Sequence, residues 1–183
     1  MDKLVVTGGR PLQGEVTISG GKNAVLPVIA ATILADNICE INAVPHLSDV
    51  YTINEVLSSL GAKVDFHDDV LTIDPRSIDK YVAPYEYIQK MRASILILGP
   101  LLAKKGKALV SAPGGCRIGS RPIDLHIKGL KALGAEIEIR DNNIEAHLDG
   151  RFKGNKIYLD FPSVGATEHI MMAAALAEGT TII

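Results

Sequence analysis

Leu57-Ser-Ser-Leu-Gly-Ala-Lys-Val-Asp-Phe-His-Asp68 and Leu130-Lys-Ala-Leu-Gly-Ala-Glu-Ile-Glu-Ile-Arg-Asp141 carry one pattern twice. Each copy reads as the end of an amphipathic helix, a glycine cap, and an alternating strand that runs into a turn at Asp68-Asp69 or Asp141-Asn142-Asn143. The turns predict two hairpins, Lys63–Phe66 with Val70–Ile73 and Glu136–Ile139 with Ile144–Leu148.

A second element recurs three times. Ala24–Ala35, Ala93–Ala103 and Ala166–Ala177 are apolar stretches that each end in Leu-Ala before a short polar turn. The strand-like runs Ile38–Ile41, Lys107–Ser111 and Thr180–Ile183 follow them. The period is about 70 residues, long enough for a whole supersecondary unit of strand, helix, strand, helix, strand, strand. In Asn23–Ala35 there is almost no polar stripe, so the first helix of each unit is expected to be buried on every side. The second helices, Asp49–Leu60 and Pro122–Leu133, are amphipathic. These features predict an α/β fold: an inside-out α/β barrel of βαβαββ repeats with buried helices at the centre and sheets outside, cut short in the third repeat. Ala30, Ala31, Ala173, Ala174 and Ala175 are expected to let the helices approach closely. A doubly wound parallel sheet competes, but the antiparallel hairpins count against it.

The 183 residues suffice for one sizeable domain, and Gly179-Thr-Thr-Ile-Ile183 reads as a turn entering a further strand, so a portion of a longer protein is expected. A net charge of −2, with 22% charged and 47% hydrophobic residues, gives no basic excess for nucleic acid. No apolar run is long enough to span a membrane. With two cysteines, Cys39 and Cys116, a disulfide framework is not expected and a reducing cytoplasm fits. The five histidines are scattered and show no metal-ligand spacing, so neither a metal nor a cofactor is expected.

The chemistry concentrates in Pro113-Gly-Gly-Cys-Arg-Ile-Gly-Ser-Arg-Pro-Ile-Asp-Leu125. Two guanidinium groups near Cys116 favour a thiolate and attract anions. Pro122 suits the first turn of the helix that follows, whose free N–H groups face what the loop binds. The competing reading is a glycine-rich surface turn with an idle cysteine. Lys22 and Arg92 stand at the starts of buried helices, where the dipole opposes a cation; an anion held between the helix ends would explain them, and plain solvation is the alternative. Gly20-Gly21-Lys22 is not a P-loop, because Val16 and Asn23 stand where a Gly and a Ser or Thr are required. Ser163-Val-Gly-Ala-Thr167 is a small-residue turn into a helix, suited to a phosphate, although an ordinary N-cap explains Ser163 equally well. His126 is given a weak supporting role, and Cys39 is read as a buried apolar filler.

Ile18–Ala24, Met91–Ser94, Pro113–Ile127 and Ser163–Thr167, in this order, closely resemble the enolpyruvyl transferases of the UDP-N-acetylglucosamine 1-carboxyvinyltransferase type. The resemblance runs the length of the chain and covers somewhat under half of a complete member. It implies transfer of the enolpyruvyl group of phosphoenolpyruvate to the 3-hydroxyl of UDP-N-acetylglucosamine, with release of phosphate, as the committed step of peptidoglycan synthesis. It also implies two domains of three repeats each, with the substrates in the cleft between them.

Carried over by position, Lys22 and Asn23 resemble the phosphoenolpyruvate contacts, and Cys116 the loop cysteine that donates a proton. Arg121, Pro122, Ile123, Asp124 and Leu125 resemble the UDP-sugar segment, with Arg121 also near the phosphoenolpyruvate phosphate. Arg92 resembles a further substrate contact, and Ser163, Val164 and Gly165 a turn near the diphosphate. Phe161 stands where some members have a lysine. The resemblance implies that residues 1–13 are a strand segment of the other domain, and that 14–183 form an incomplete enolpyruvyl transferase domain whose general base lies elsewhere. The shikimate-pathway enolpyruvyl transferase and a UDP-sugar-binding fragment without turnover are the alternatives; Cys116 and the Arg-Pro-Ile-Asp segment weigh against the first.

Overall fold

The two copies of the Leu-Gly-Ala pattern fold alike. The computed structural model describes residues 3–88, 91–111 and 123–183; the Arg92 side chain lies outside that description. Chain order among the described residues is α1 (Lys22–Ala31), β1 (Cys39–Ile41), α2 (Ser48–Leu60), β2 (Lys63–His67), β3 (Val70–Asp74), α3 (Tyr85–Ile88), α4 (Leu98–Lys105), β4 (Lys107–Ser111), α5 (Asp124–Ala132), β5 (Glu136–Arg140), β6 (Asn143–His147) and α6 (Val164–Ala174). Short 3-10 segments follow α1 at Thr32–Leu34 and β3 at Pro75–Ser77, and a longer one, Arg92–Ile97, leads into α4.

The shared pattern has one local cause. Gly61 ends α2 in the left-handed region (φ 109), and Gly134 takes the same conformation just after α5 (φ 106), where a Cβ would be strained. Ala62 N–H donates to Leu57 O at 3.0 Å and Ala135 N–H to Leu130 O at 3.1 Å, so both helices close by the same reversed bond. The hairpins turn through positive-φ residues, Asp68 in the first and Asp141 and Asn142 in the second, as Asx residues allow.

Each hairpin gains a third strand. The sheet orders are β1-β3-β2 and β4-β6-β5, antiparallel throughout, and neither sheet closes on itself. The central strands bury alternate residues, Leu71 and Ile73 in β3 and Ile144 and Ala146 in β6. In the second unit a rudimentary leading strand pairs in parallel with β4: Ala83 N–H donates to Leu109 O and Leu109 N–H to Tyr81 O. Phe152–Ile157 pairs likewise with Glu178–Ile182 in the third, so the strand expected at Thr180–Ile183 is present as isolated parallel bridges. The first unit departs from the pattern. Residues 3–19 form no strand, and Val16 and Ile18 are exposed, because β1 pairs only with β3.

One apolar cluster runs from Val25 to Ala173 and joins all three units. Within it α1, the Arg92–Ile97 segment and α6 pack on one another, and α6 also packs on α4 and α5. The expectation of burial on all sides holds for the middle copy, where every residue from Leu96 to Leu102 is buried. It does not hold for α1 and α6, which leave Val28 and Met171 exposed. Of the alanines expected at the helix contacts, Ala30 and Ala173 are fully buried and Ala175 is exposed. Two glycines make the closest approaches instead. A Cβ on Gly99 of α4 would lie 2.8 Å from His169 Nε2, and one on Gly129 of α5 would overlap Ile170 Cδ1. Both contacts fix α6, whose N-terminus carries Ser163–Gly165.

Candidate functional site

Lys22 is the first residue of α1, with extended Gly21 as its N-cap. Its Nζ lies 3.1 Å from Oδ2 of Asp49, in the first turn of α2, with the two side chains 49% and 28% exposed. Asp49 is favourably placed at its own helix start and offsets the unfavourable position of Lys22. Sequence reasoning missed this partner. An acidic residue in a first turn was the available signal, but it does not tell which cation lies across from it. A pair this exposed contributes at most about 1 kcal/mol, so it leaves Lys22 free to serve an incoming anion. Asn23, next on α1, is exposed.

Arg92 opens the 3-10 segment that packs against α1 and α6. Cys116, Arg121 and Pro122 lie outside the described residues. Ile123 is the N-cap of α5 and packs partly on the core; Asp124 is the exposed first residue of that helix, and Leu125 is buried. Ser163 caps α6, its Oγ accepting from Ala166 N–H at 3.3 Å, while Thr167 Oγ1 donates back to Ser163 O at 2.8 Å. The N-cap reading of Ser163 is therefore satisfied locally. Val164 is exposed and Gly165 half-buried, with His126 Cε1 3.7 Å from where a Gly165 Cβ would stand. Phe161, just before the turn, is exposed.

A second feature escaped the sequence reading. His169 on α6 is fully buried and His126 on α5 nearly so, and their Nδ1 atoms lie 3.0 Å apart. His169 Nε2 accepts the Gly99 N–H at 2.7 Å. Burial first, then the nearby His126, push the His169 imidazole well below its ordinary 6.5. Glu168, half-buried beside it on α6, has its carboxyl raised by burial. Cys39, expected to be buried, is only half-buried because it stands at the start of the short edge strand β1; burial still raises its thiol, which disfavours the thiolate. Among the described residues no group of three or more His, Cys, Asp or Glu could hold a metal ion, and no helix is long and apolar enough to cross a membrane. A cleft of about 200 Å³ lined by Asp36, Arg76, Lys104 and neighbours contains none of the predicted site residues.

Known proteins share this arrangement of helices and three-stranded antiparallel sheets. The family model described as EPSP synthase (3-phosphoshikimate 1-carboxyvinyltransferase) matches residues 6–183. The chain belongs to this family. Among the family's curated members, UDP-N-acetylglucosamine 1-carboxyvinyltransferase 1 of Halalkalibacterium halodurans is 56% identical over 184 residues, covering 100% of this chain and 42% of that protein. The chain thus spans less than half the length of the relative it matches. Two solved structures share the fold. The enolpyruvyl transferase NikO from Streptomyces tendae superposes with a TM-score of 0.80 at 21% identity, over 95% of this chain and 41% of its own. EPSP synthase from Acinetobacter baumannii gives 0.72 at 20%, over 92% and 39%. The mixed α/β architecture read from the repeat is that of the enolpyruvyl transferases.

Proposed function

We propose that this chain is the N-terminal portion of an enzyme that transfers the enolpyruvyl group of phosphoenolpyruvate to the 3-hydroxyl of UDP-N-acetylglucosamine, releasing phosphate, in the cytoplasm, at the committed step of peptidoglycan synthesis. The observation that carries the reading is the 56% identity, over the whole chain, to a relative named for that reaction. The family description names the shikimate reaction, but the fold neighbour of that name is only 20% identical.

In this reading the chain supplies one wall of a cleft. Lys22 and Asn23 hold the phosphoenolpyruvate anion at the start of α1, and Arg92, opening a segment that packs on α1, is a further substrate contact. Cys116 donates a proton to the methylene carbon while the sugar hydroxyl adds to the neighbouring carbon; loss of phosphate and of that proton then restores the double bond. Arg121–Leu125 and the Ser163–Gly165 turn hold the UDP-sugar, the turn through N–H groups at the start of α6. Residues 1–13 belong with a second domain that supplies the general base; the high exposure of Leu4, Val5, Val6 and Leu12 supports this. Residues 14–183 make one domain of an inside-out barrel, supported by the single core cluster.

With only the part that covers 42% of the relative present, this chain alone binds the UDP-sugar weakly and does not turn it over. The test is phosphate release from phosphoenolpyruvate by the complete protein, with UDP-N-acetylglucosamine or shikimate 3-phosphate as acceptor, beside the same assay on this chain. Release only with the UDP-sugar, and none from this chain alone, is expected. Release with the shikimate ester overturns the assignment.

A further inference from the structure

Gly20 and Gly21 stand side by side before Lys22, and their surroundings differ. Gly21 is the extended N-cap of α1, with φ −87, and nothing lies within 4 Å of where its Cβ would stand. Gly20 has no such room. A Cβ there would overlap Ala43 O and lie 3.2 Å from Ala43 C and 3.3 Å from Pro45 Cδ. Gly20 is not among the glycines with positive φ, so space rather than torsion excludes a side chain.

The carbonyl that fills this space belongs to a strained residue. Ala43 takes φ 56, a left-handed conformation that a residue with a Cβ adopts only under constraint. The next residue supplies the constraint: Val44 is buried, and its N–H donates at 2.8 Å to Asp69 O in the β2–β3 turn. Ala43 and Val44 lie between β1 and α2, and Asp49 stands in the first turn of α2. Residues 43–49 therefore meet the entry to α1 twice. Ala43 O sits against Gly20, and Asp49 Oδ2 lies 3.1 Å from Lys22 Nζ. The ion pair is exposed and too weak to hold the backbone by itself. The contact at Gly20 fixes where α1 begins, and the carboxylate then fixes where the ammonium points, leaving its other N–H donors for an anion.

We propose that Gly20 is a positioning residue for Lys22: its missing side chain lets the Ala43 carbonyl seat against the chain entering α1, and this seat sets Lys22 against Asp49 and aims its ammonium at phosphoenolpyruvate. The kinetic consequence rests on the proposed function; the seat and the ion pair do not. A side chain at position 20 must displace either the Ala43 turn or the start of α1, and both carry a partner of the Lys22–Asp49 pair with them.

The test uses the complete protein as parent, Gly20→Ala and Ala43→Val, with phosphate release measured while each substrate is varied. In Gly20→Ala, kcat/KM for phosphoenolpyruvate is expected to fall about ten- to hundredfold through a raised KM, while the KM for UDP-N-acetylglucosamine stays within about twofold. Ala43→Val leaves Gly20 intact and places a β-branched residue where φ is positive, so it should shift the carbonyl and give the same selective loss. Carbon-13 lysine spectra give a readout without turnover. Asp49→Asn should move the Lys22 ε-methylene signal in the parent and leave it unmoved in Gly20→Ala, where the pair is already parted. An equal rise in both KM values, a fall in kcat alone, or an Asp49→Asn shift that survives in Gly20→Ala overturns the proposal. Should Gly20→Ala fail to fold, Ala43→Val decides by the same readouts. If the parent releases no phosphate with the UDP-sugar, the functional reading falls, and the Lys22 signals alone decide the positioning.

Discussion

Gly99→Ala is expected to destabilise the chain, although alanine is the better helix former. In an exposed helix interior the exchange would gain about 1 kcal/mol. Here the new Cβ would stand 2.8 Å from His169 Nε2, 2.9 Å from its Cδ2 and 3.3 Å from Ala173 Cβ. The imidazole must retreat by roughly 0.6 Å to reach ordinary contact, and as a fully buried ring held at both nitrogens it has no free direction. Overpacking of this kind costs about 1–3 kcal/mol, and stretching the Gly99–His169 bond adds up to about 1 kcal/mol. Net of the helix gain, a loss of up to about 3 kcal/mol is expected, or up to roughly 12 °C in Tm for a chain of this size. The assay is thermal and urea unfolding of the parent, Gly99→Ala, His169→Ala and the double variant. With the ring gone, Gly99→Ala should become neutral or stabilising, leaving a coupling of more than about 1 kcal/mol. A Tm rise in Gly99→Ala alone, or strict additivity in the double variant, would refute the close approach of α4 and α6.

Lys22→Ala in the complete protein should reduce turnover by orders of magnitude, while Asp49→Ala in this chain should cost no more than about 1 kcal/mol by denaturation. A comparable loss of stability and turnover in Lys22→Ala would make the lysine structural. Maleimide labelling at pH 7 followed by peptide mapping should mark Cys116 before Cys39, because burial raises the Cys39 thiol; faster reaction at Cys39 contradicts the assignment of the reactive thiol. His169 has a folded pKa below its unfolded 6.5, so above 6.5 both states are neutral and stability is full. Below 6.5 the unfolded chain takes up a proton that the folded chain refuses. Stability should therefore fall with pH toward the lowered folded value, by at most about 1.4 kcal/mol per unit for this one group. Urea midpoints at pH 7.5, 6 and 5 check this, and His169→Asn should flatten the slope; an unchanged slope assigns it to other groups.

Local chemistry alone determined much of the molecule. The glycine caps after Leu60 and Leu133, the Asx turns at Asp68 and Asp141, and strand alternation set both hairpins to within a residue, and β4 at Lys107–Ser111 was legible outright. The helix starts at Lys22, Arg92 and Val164 were likewise close to expectation, since caps and apolar runs are written in adjacent residues. Tertiary structure decided the rest. Asp49 meets Lys22 across two helix ends, and His126, His169 and Gly99 meet across separations of 43 and 70 residues. In sequence His169 is one of three consecutive polar residues, Thr167 to His169, in an otherwise apolar helix, and Gly99 one weak spot in another. A periodic pattern records which face of an element is buried, because burial repeats with the turn of the helix or the pleat of the strand. It does not record what lies on the far side of that face. A tautomer, an ion pair or a missing Cβ is specified by a single opposing atom, and only packing brings that atom near.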